Sequence, residues 1–387
     1  MNPFVFEVPT RIEFGEGLAG SASEVCKRLG AARILIVTDE VLIKNGVVEP
    51  VLRSFQEDQS LSTTIFTDVP PDSDIKSANK AAALAVKEKC DAVLAVGGGS
   101  VLDTAKVVNI SLTFGGDVID YQGMNNLSKR LLPFIAIPTT AGTGSEVSAV
   151  AMVKDSGEGK KLLFASRYLA PDASILDPTL LVTLPPRLTA ATGLDAVTHC
   201  IEAYSVEFTR SPLTDMLCLE GLRLLFEFLP KATKHGDDLE ARSNTLIAAT
   251  MAGMAFTNSG VGVVHALSHA TGGQFGTHHG TTNSVFLPWG MQFNLDVVAP
   301  RYAAIARYLK LTDDKSDEVA SKKLIVGIQQ LAQEVGLPSR LRDLGVPALE
   351  EAQLENLAYL ATTDPAIMFN PKETTVQDII GIYERAY

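Results

Sequence analysis

Two kinds of apolar pattern divide this sequence, and that division constrains the fold more than any other feature. Up to about residue 185, short β-branched runs alternate with helical stretches: RILIVTD at 33–39, DAVLAV at 91–96 and FIAIP at 134–138, with SANKAAALAVKEKC at 77–90 between the first two. That alternation is the mark of a parallel sheet covered by helices, a doubly wound α/β domain. After Pro185 and Pro186 the strand-like runs almost vanish, and long amphipathic stretches such as SPLTDMLCLEGLRLLFEFL and LEARSNTLIAATMAGMAF follow. The paired prolines are a natural break. The expectation is an α/β domain over residues 1–185 and an all-α domain over 186–387, with no internal repeat and no low-complexity tract.

Composition agrees with two large cores. The chain has 387 residues, 46% of them hydrophobic and 20% charged, against a prior of roughly 150 residues per domain. A formal net charge of -12 opposes encounter with nucleic acid or an anionic membrane, so small ligands are the expected partners. Glu7 and Arg11 interrupt what would have to be a signal-peptide core, and no run reaches the roughly 18 apolar residues of a membrane span. A cytoplasmic protein is expected. Cys26, Cys90, Cys200 and Cys218 are far apart and lack CxxC spacing, which reads as reduced core thiols rather than a disulfide framework or a thiolate metal site.

The run DAVLAV ends in Gly97, Gly98 and Gly99, and Ser100 stands three residues before Asp103 in an N-cap pattern that opens a helix. A strand, a glycine turn and a helix N-terminus together make an anion site, because glycines admit a close backbone approach and the free N–H groups favour negative charge. GGGS is not GxGxxG, and alone it is also what a plain tight turn looks like. A second loop, PTTAGTGSEVS at 138–148, follows another strand and offers the hydroxyls of Thr139, Thr140, Thr143 and Ser145 beside Gly142 and Gly144. Two such loops at strand ends are what a doubly wound sheet uses to hold a nucleotide. Asp39 closes the strand RILIVTD. A carboxylate there either accepts the ribose hydroxyls of an adenosine, which selects NAD over NADP, or caps a helix. It precedes the glycines by 58 residues, so any dinucleotide unit here departs from the usual fingerprint, in which the acid follows.

Asp195 and His199 are four apart in a helical pattern, His265 and His269 repeat that spacing, and His279 follows a glycine-rich turn. One carboxylate and three imidazoles suit a divalent ion with a position left open, and such an ion acts as a Lewis acid on an alcohol or aldehyde oxygen. A singly placed histidine is more often a hydrogen-bonded core residue; the pairing with Asp195 is what favours the metal reading.

The motifs GGGSVLDTAK, PTTAGTGSEVS, LTAATGLDAVTHCIEAY and AGMAFTNSGVGVVHALSHATGGQFGTHHG, in that order, resemble the group III, iron-containing alcohol dehydrogenase family. The resemblance runs from PTRIEFGEG at 9–17 to NPKETTVQDIIGIYERAY at the C-terminus. It implies an N-terminal NAD(P)-binding domain, a C-terminal helical domain binding Fe(II) or sometimes Zn(II), and a homodimer or larger assembly. By this resemblance Asp195, His199, His265 and His279 are the metal ligands, and His269 relays the alcohol proton. Asp39, Gly97, Gly98, Gly99, Ser100, Asp103, Thr139, Thr140, Thr143, Ser148 and Lys161 form the cofactor site, and Val150 and Phe256 the apolar substrate pocket. His278 stands where the family often has Pro; the spacing of 14 from His265 favours His279 as ligand. Cys200, beside a ligand, reads as core packing. The reaction implied is hydride transfer between NAD(H) and a small primary alcohol, diol or aldehyde. The rival readings are a dehydroquinate-synthase-like lyase, which would need a basic pocket absent from the motif region, and a non-catalytic NAD- or metal-binding protein, which would not need His269.

Overall fold

The computed structural model describes residues 3–157 and 160–387, and its chain divides into one unit over Val8–Thr183 and a second made of Leu184–Tyr387 with the first residues up to Glu7. The break between Thr183 and Leu184 stands just before Pro185. The first unit is built from strands β1 (Arg11–Phe14), β2 (Arg33–Val37), β3 (Ser62–Phe66), β4 (Ala92–Gly97), β5 (Gly123–Met124), β6 (Phe134–Pro138), β7 (Val150–Asp155), β8 (Lys160–Ala165) and β9 (Ala173–Leu176). Its helices are α1 (Ala22–Arg28), α2 (Glu40–Lys44), α3 (Glu49–Glu57), α4 (Ile75–Lys87) and α5 (Gly99–Phe114). Six strands form one parallel sheet in the order β1-β9-β6-β4-β2-β3.

Every residue of β4 and β6 is buried, as are Ile34 to Val37 of β2. Strands covered on both faces have no wet side, which is why they read as continuous apolar runs. Leu35, Val37, Val93, Ala95 and Ala136 pack against Val101, Leu102 and Ala105 of α5. The order also fixes where a ligand can sit. From β2 the chain moves outward to β3 and then returns to β4 on the other side of β2, so the topological switch point lies beyond the C-terminal ends of β2 and β4. Asp39 follows the first of these strands and Gly98 the second. The sequence reading did not contain the small second sheet, in which β7 and β8 form an antiparallel hairpin and β5 joins β8.

The second unit contains α6 (Pro186–Ser205), α7 (Pro212–Lys234), α8 (Leu239–Ser259), α9 (Val263–Phe275), α10 (His279–Tyr308), α11 (Asp317–Glu334), α12 (Glu351–Thr362) and α13 (Val376–Ala386), and no named strand among its described residues. Pro185 and Pro186 stand at the N-cap and first position of α6, where a missing N–H costs nothing. Arg242 is fully buried; it donates to Gly236 O, Thr189 Oγ1 and Leu184 O and so ties α8 to the entry of α6. The first residues belong here through a reciprocal pair: Glu7 N–H donates to Asn258 Oδ1 at 2.8 Å, and Asn258 Nδ2 donates to Glu7 O at 3.1 Å. Among the described residues no single helix is long and apolar enough to cross a membrane. All four cysteines are free and buried.

Candidate active site

In the helical unit, three elements bring the chemistry together. Asp195, His199 and Glu202 lie at i, i+4 and i+7 on α6 and share one face; His265 and His269 share a face of α9; His279 is the first residue of α10. All of these but His269 and His279 are buried. Asp195 Oδ1 is 3.9 Å from His265 Nε2 and 3.6 Å from His279 Nε2, and one donor atom from each of the three residues falls within 4.8 Å of the others. Donors that bind a cation at about 2.1 Å in tetrahedral geometry stand about 3.4 Å apart, so the set needs only a small contraction. One carboxylate oxygen with imidazole nitrogens suits iron or zinc rather than calcium or magnesium.

His199 does not bring a donor into this group. Its ring stacks on Phe256 with centroids 4.4 Å apart and lies 4.5 Å from the His265 ring. Of the four residues singled out from the sequence, Asp195, His265 and His279 bring donor atoms together, and the His199 ring lies alongside. His278 is exposed and caps α10 through Nδ1, which accepts from Thr281 N–H. Of the adjacent pair, it is the His279 ring that faces Asp195.

Each α9 histidine is oriented by an acid the sequence reading missed. Glu202 Oε2 sits 2.5 Å from His265 Nδ1, and its Oε1 accepts Val264 N–H at 2.7 Å. A carboxylate on Nδ1 keeps the proton there and turns the Nε2 lone pair toward Asp195, the tautomer a ligand needs. Burial opposes charge on His265, but the Glu202 hydrogen bond and the surrounding carboxylates outweigh it and raise its pKa. Asp364, from the segment after α12, accepts from His269 Nδ1 at 2.9 Å. Burial would raise the Asp364 pKa, yet the charge and hydrogen bond of His269 hold it below the ordinary value. The His269 ring also stacks on His279, centroids 5.2 Å apart. Asn283, one turn after His279, completes the cluster with its amide nitrogen 2.7 Å from Asp195 Oδ1. The i+7 position of Glu202 and the i+4 position of Asn283 were visible as helical stripes. Asp364, 95 residues from its partner, gave no sequence signal.

In the α/β unit, the glycine turn and the second loop are neighbours. Gly97 pairs with Pro138 at the end of β4 and β6, and Thr139 N–H donates to Gly97 O at 3.0 Å. A Cβ on Gly98 would lie 3.2 Å from Thr140 Cγ2, and one on Gly99 only 2.6 Å from Thr143 Cγ2, so Gly99 permits the loops to close on one another. The expected Ser100 cap is corrected. Helix α5 begins at Gly99 with Gly98 as its N-cap, which places Ser100 inside the first turn, where its hydroxyl donates to Pro71 O instead. Asp103 is turned inward, with Oδ1 accepting from Ser145 Oγ and Oδ2 from Met152 N–H. Ser148 is likewise buried, and its hydroxyl and carbonyl both meet the Nζ of the fully buried Lys106, which also donates to Val150 O. Desolvation lowers the Lys106 pKa to about 8. Asp103 and Ser148 thus brace the loops from inside. Asp39 caps α2, with Oδ1 accepting from Leu42 N–H at 2.9 Å. Lys161, on β8, pairs with Asp72 at 3.1 Å, and the 71–72 turn meets both it and Ser100.

Comparison with known proteins covers almost the whole chain. The family model described as iron-containing alcohol dehydrogenase matches residues 9–178, and the model for the C-terminal part of the Fe-containing alcohol dehydrogenase family matches 189–387. An NAD-dependent methanol dehydrogenase of Bacillus methanolicus is 38% identical over 382 residues, covering 98% of this chain and 99% of the relative. A 1,3-propanediol dehydrogenase of Klebsiella pneumoniae is 35% identical over 387 residues, with 99% of each covered. Among solved structures, a 1,3-propanediol oxidoreductase superposes with a TM-score of 0.95 at 35% identity and full coverage of both chains.

Proposed function

From the premise that this chain belongs to the iron-containing alcohol dehydrogenase family, we propose that it transfers hydride between NAD(H) and a small primary alcohol, diol or the corresponding aldehyde at a centre built on Asp195, His265 and His279. The observation that carries the reading is the convergence of those three donor atoms with Glu202 behind His265. His199 is the fourth ligand in this reading, reached by a side-chain rotation from its stack on Phe256. Fe(II) is the expected ion, with Zn(II) accepted by the same donors.

When bound, the cation supplies Lewis acidity to the substrate oxygen, and NAD accepts the hydride. The chain's own residues do the rest. Glu202 holds the tautomer of His265. His269, half-buried and backed by Asp364, receives and passes on the hydroxyl proton, because the carboxylate on Nδ1 leaves Nε2 to accept it. Asp39 at the switch point contacts the adenosine ribose and disfavours a 2′-phosphate, while the N–H groups at Gly98, Gly99 and Ser100 and the hydroxyls of Thr139, Thr140 and Thr143 hold the pyrophosphate region. Lys161 adds positive charge to the cofactor site. Phe256 gives the centre an apolar wall, and Val150 O accepts from Lys106 Nζ within the α/β unit. A homodimer or larger assembly in the cytoplasm completes the reading; the four free buried cysteines fit a reducing compartment.

The test is to strip divalent ions with a chelator, reload Fe(II) or Zn(II) without oxygen, and follow NADH absorbance over a panel of short alcohols, diols and aldehydes. Turnover returns with the ion and is absent in His265→Ala, and Asp39→Gly raises the use of NADP. Metal-independent turnover, or NAD binding without turnover of any alcohol, would overturn the mechanism and favour the non-catalytic or lyase alternatives.

A further inference from the structure

The helical cluster contains one more polar side chain than a ligand set requires. Asn283 is fully buried on α10. Its Nδ2 stands 2.7 Å from Asp195 Oδ1, 3.2 Å from His279 Nε2 and 3.3 Å from His265 Nε2, the same three atoms that converge on one another. Its Oδ1 is buried and has no hydrogen-bond partner among the described residues. The neighbours dictate this orientation of the amide. Glu202 Oε2 accepts from His265 Nδ1, so in the neutral ring Nε2 carries the lone pair, and the Asp195 carboxylate oxygen is an acceptor. Turned the other way, Oδ1 would face acceptors instead of lending them hydrogens.

Resting on the reading that Asp195, His265 and His279 hold a divalent cation, we propose that Asn283 sets the affinity of that centre, because its amide N–H groups compete with the cation for the same three lone pairs. Its effect is opposite in sign to that of Glu202. Glu202 acts from behind, on Nδ1, and leaves the ligating nitrogen open; residues placed that way strengthen binding, and their loss costs about 10- to 100-fold in affinity. Asn283 acts from in front. A cation that takes the two imidazole lone pairs must displace the amide hydrogens from them, even if the bond to Asp195 survives. Removing the amide removes hydrogen bonds that stabilise the cation-free arrangement and that a cation would otherwise have to displace. Loss of Asn283 therefore tightens cation binding, by about tenfold, which corresponds to about 1.4 kcal/mol.

The experiment measures Zn(II) and Co(II) affinity of the full chain by competition with a chromophoric chelator, together with the Zn(II)-induced rise in Tm, for the wild type, Asn283→Ala and Glu202→Gln. The expected result is tighter binding and a larger rise in Tm for Asn283→Ala, and weaker binding for Glu202→Gln. Binding by Asn283→Ala equal to or weaker than that of the wild type, with an unchanged far-UV circular dichroism spectrum, overturns the proposal. If the alanine variant does not fold, Asn283→Ser, whose hydroxyl is too short to reach all three atoms, carries the same comparison. Should the wild type bind neither ion, the metal reading itself fails and this inference with it; wild-type binding with no gain in either Asn283 variant removes the inference alone.

Discussion

Gly280 offers a quantitative test of how closely the donor atoms depend on helix packing. It is the second residue of α10, next to His279, and it lies directly on α6: a Cβ at this position would stand 2.3 Å from Ala191 O, 2.9 Å from Ala191 C and 3.2 Å from Asp195 Cβ. The obstructing atoms are backbone, so a side-chain rotation cannot relieve the overlap. Restoring an ordinary carbon-to-oxygen contact of about 3.3 Å requires α10 to retreat from α6 by about 1 Å. If His279 moves with its helix, its Nε2 goes from 3.6 Å to about 4.6 Å from Asp195 Oδ1. Two donors at about 2.1 Å from one ion cannot be more than about 4.2 Å apart. Gly280→Ala is therefore expected to weaken cation binding by about 10- to 100-fold, on the scale of a displaced ligand environment. The overpacking itself costs about 1–3 kcal/mol of stability. Urea unfolding in the presence of chelator reads the second quantity; ion content after gel filtration, with chelator competition, reads the first. Wild-type affinity and stability in the alanine variant would refute the argument that this crossing sets the donor spacing.

Three further outcomes are expected. Gly99→Ala, whose new Cβ must push Thr143 Cγ2 away from 2.6 Å, raises the Kd for NADH by about tenfold through the disturbed loop pair, equivalent to about 1.4 kcal/mol; nucleotide fluorescence titration checks this, and cation affinity stays at the wild-type value. Asp364 has its folded pKa held below the ordinary 3.8, so its contribution to stability is fully present above that value and is lost as pH falls through the lower folded value. Acid titration of the folded fraction should therefore show a shallower loss of stability in Asp364→Asn than in the wild type; identical acid limbs would contradict the assignment. Arg242→Ala removes three hydrogen bonds, to Gly236 O, Thr189 Oγ1 and Leu184 O, from a buried side chain and should cost about 3 kcal/mol by chemical denaturation.

The parts of this molecule that the sequence disclosed are those governed by local periodicity. The central strands β4 and β6, and β2 after its exposed Arg33, are apolar because both faces are covered, and Asp195, His199, His265 and His269 announce their shared faces through spacings of four. What stayed hidden depends on tertiary partners. The β7–β8 hairpin, VAMVKD and KKLLFA, mixes lysines with apolar residues because alternate positions are only partly buried, and β5, the third strand of that sheet, has two residues, too few to declare itself. Ser100 looked like a cap by the rule that works for isolated helices. It lost that place because Gly98 already takes the extended conformation that starts α5 one residue before it. The inward turn of Asp103 follows from Ser145 and Met152, more than 40 residues away, and the support that Asp364 gives His269 is likewise a product of the folded chain alone.

The order in which the units are threaded has a consequence for biosynthesis. Because the first residues clip onto Asn258 of α8 while Val8–Thr183 forms a unit of its own, the α/β unit is an insertion in the helical one. Its first and last strands, β1 and β9, lie side by side at the sheet edge, so the insertion closes on itself. A chain leaving the ribosome can thus finish the α/β unit while its leading segment still waits for a partner that has not been made. Asp195, His265 and His279 come last and from three separate helices, so the proposed ion site can form only after the α/β unit has been made. An extension fused ahead of Phe4 would burden that closing step, whereas one placed after Tyr387 would leave the leading clip untouched.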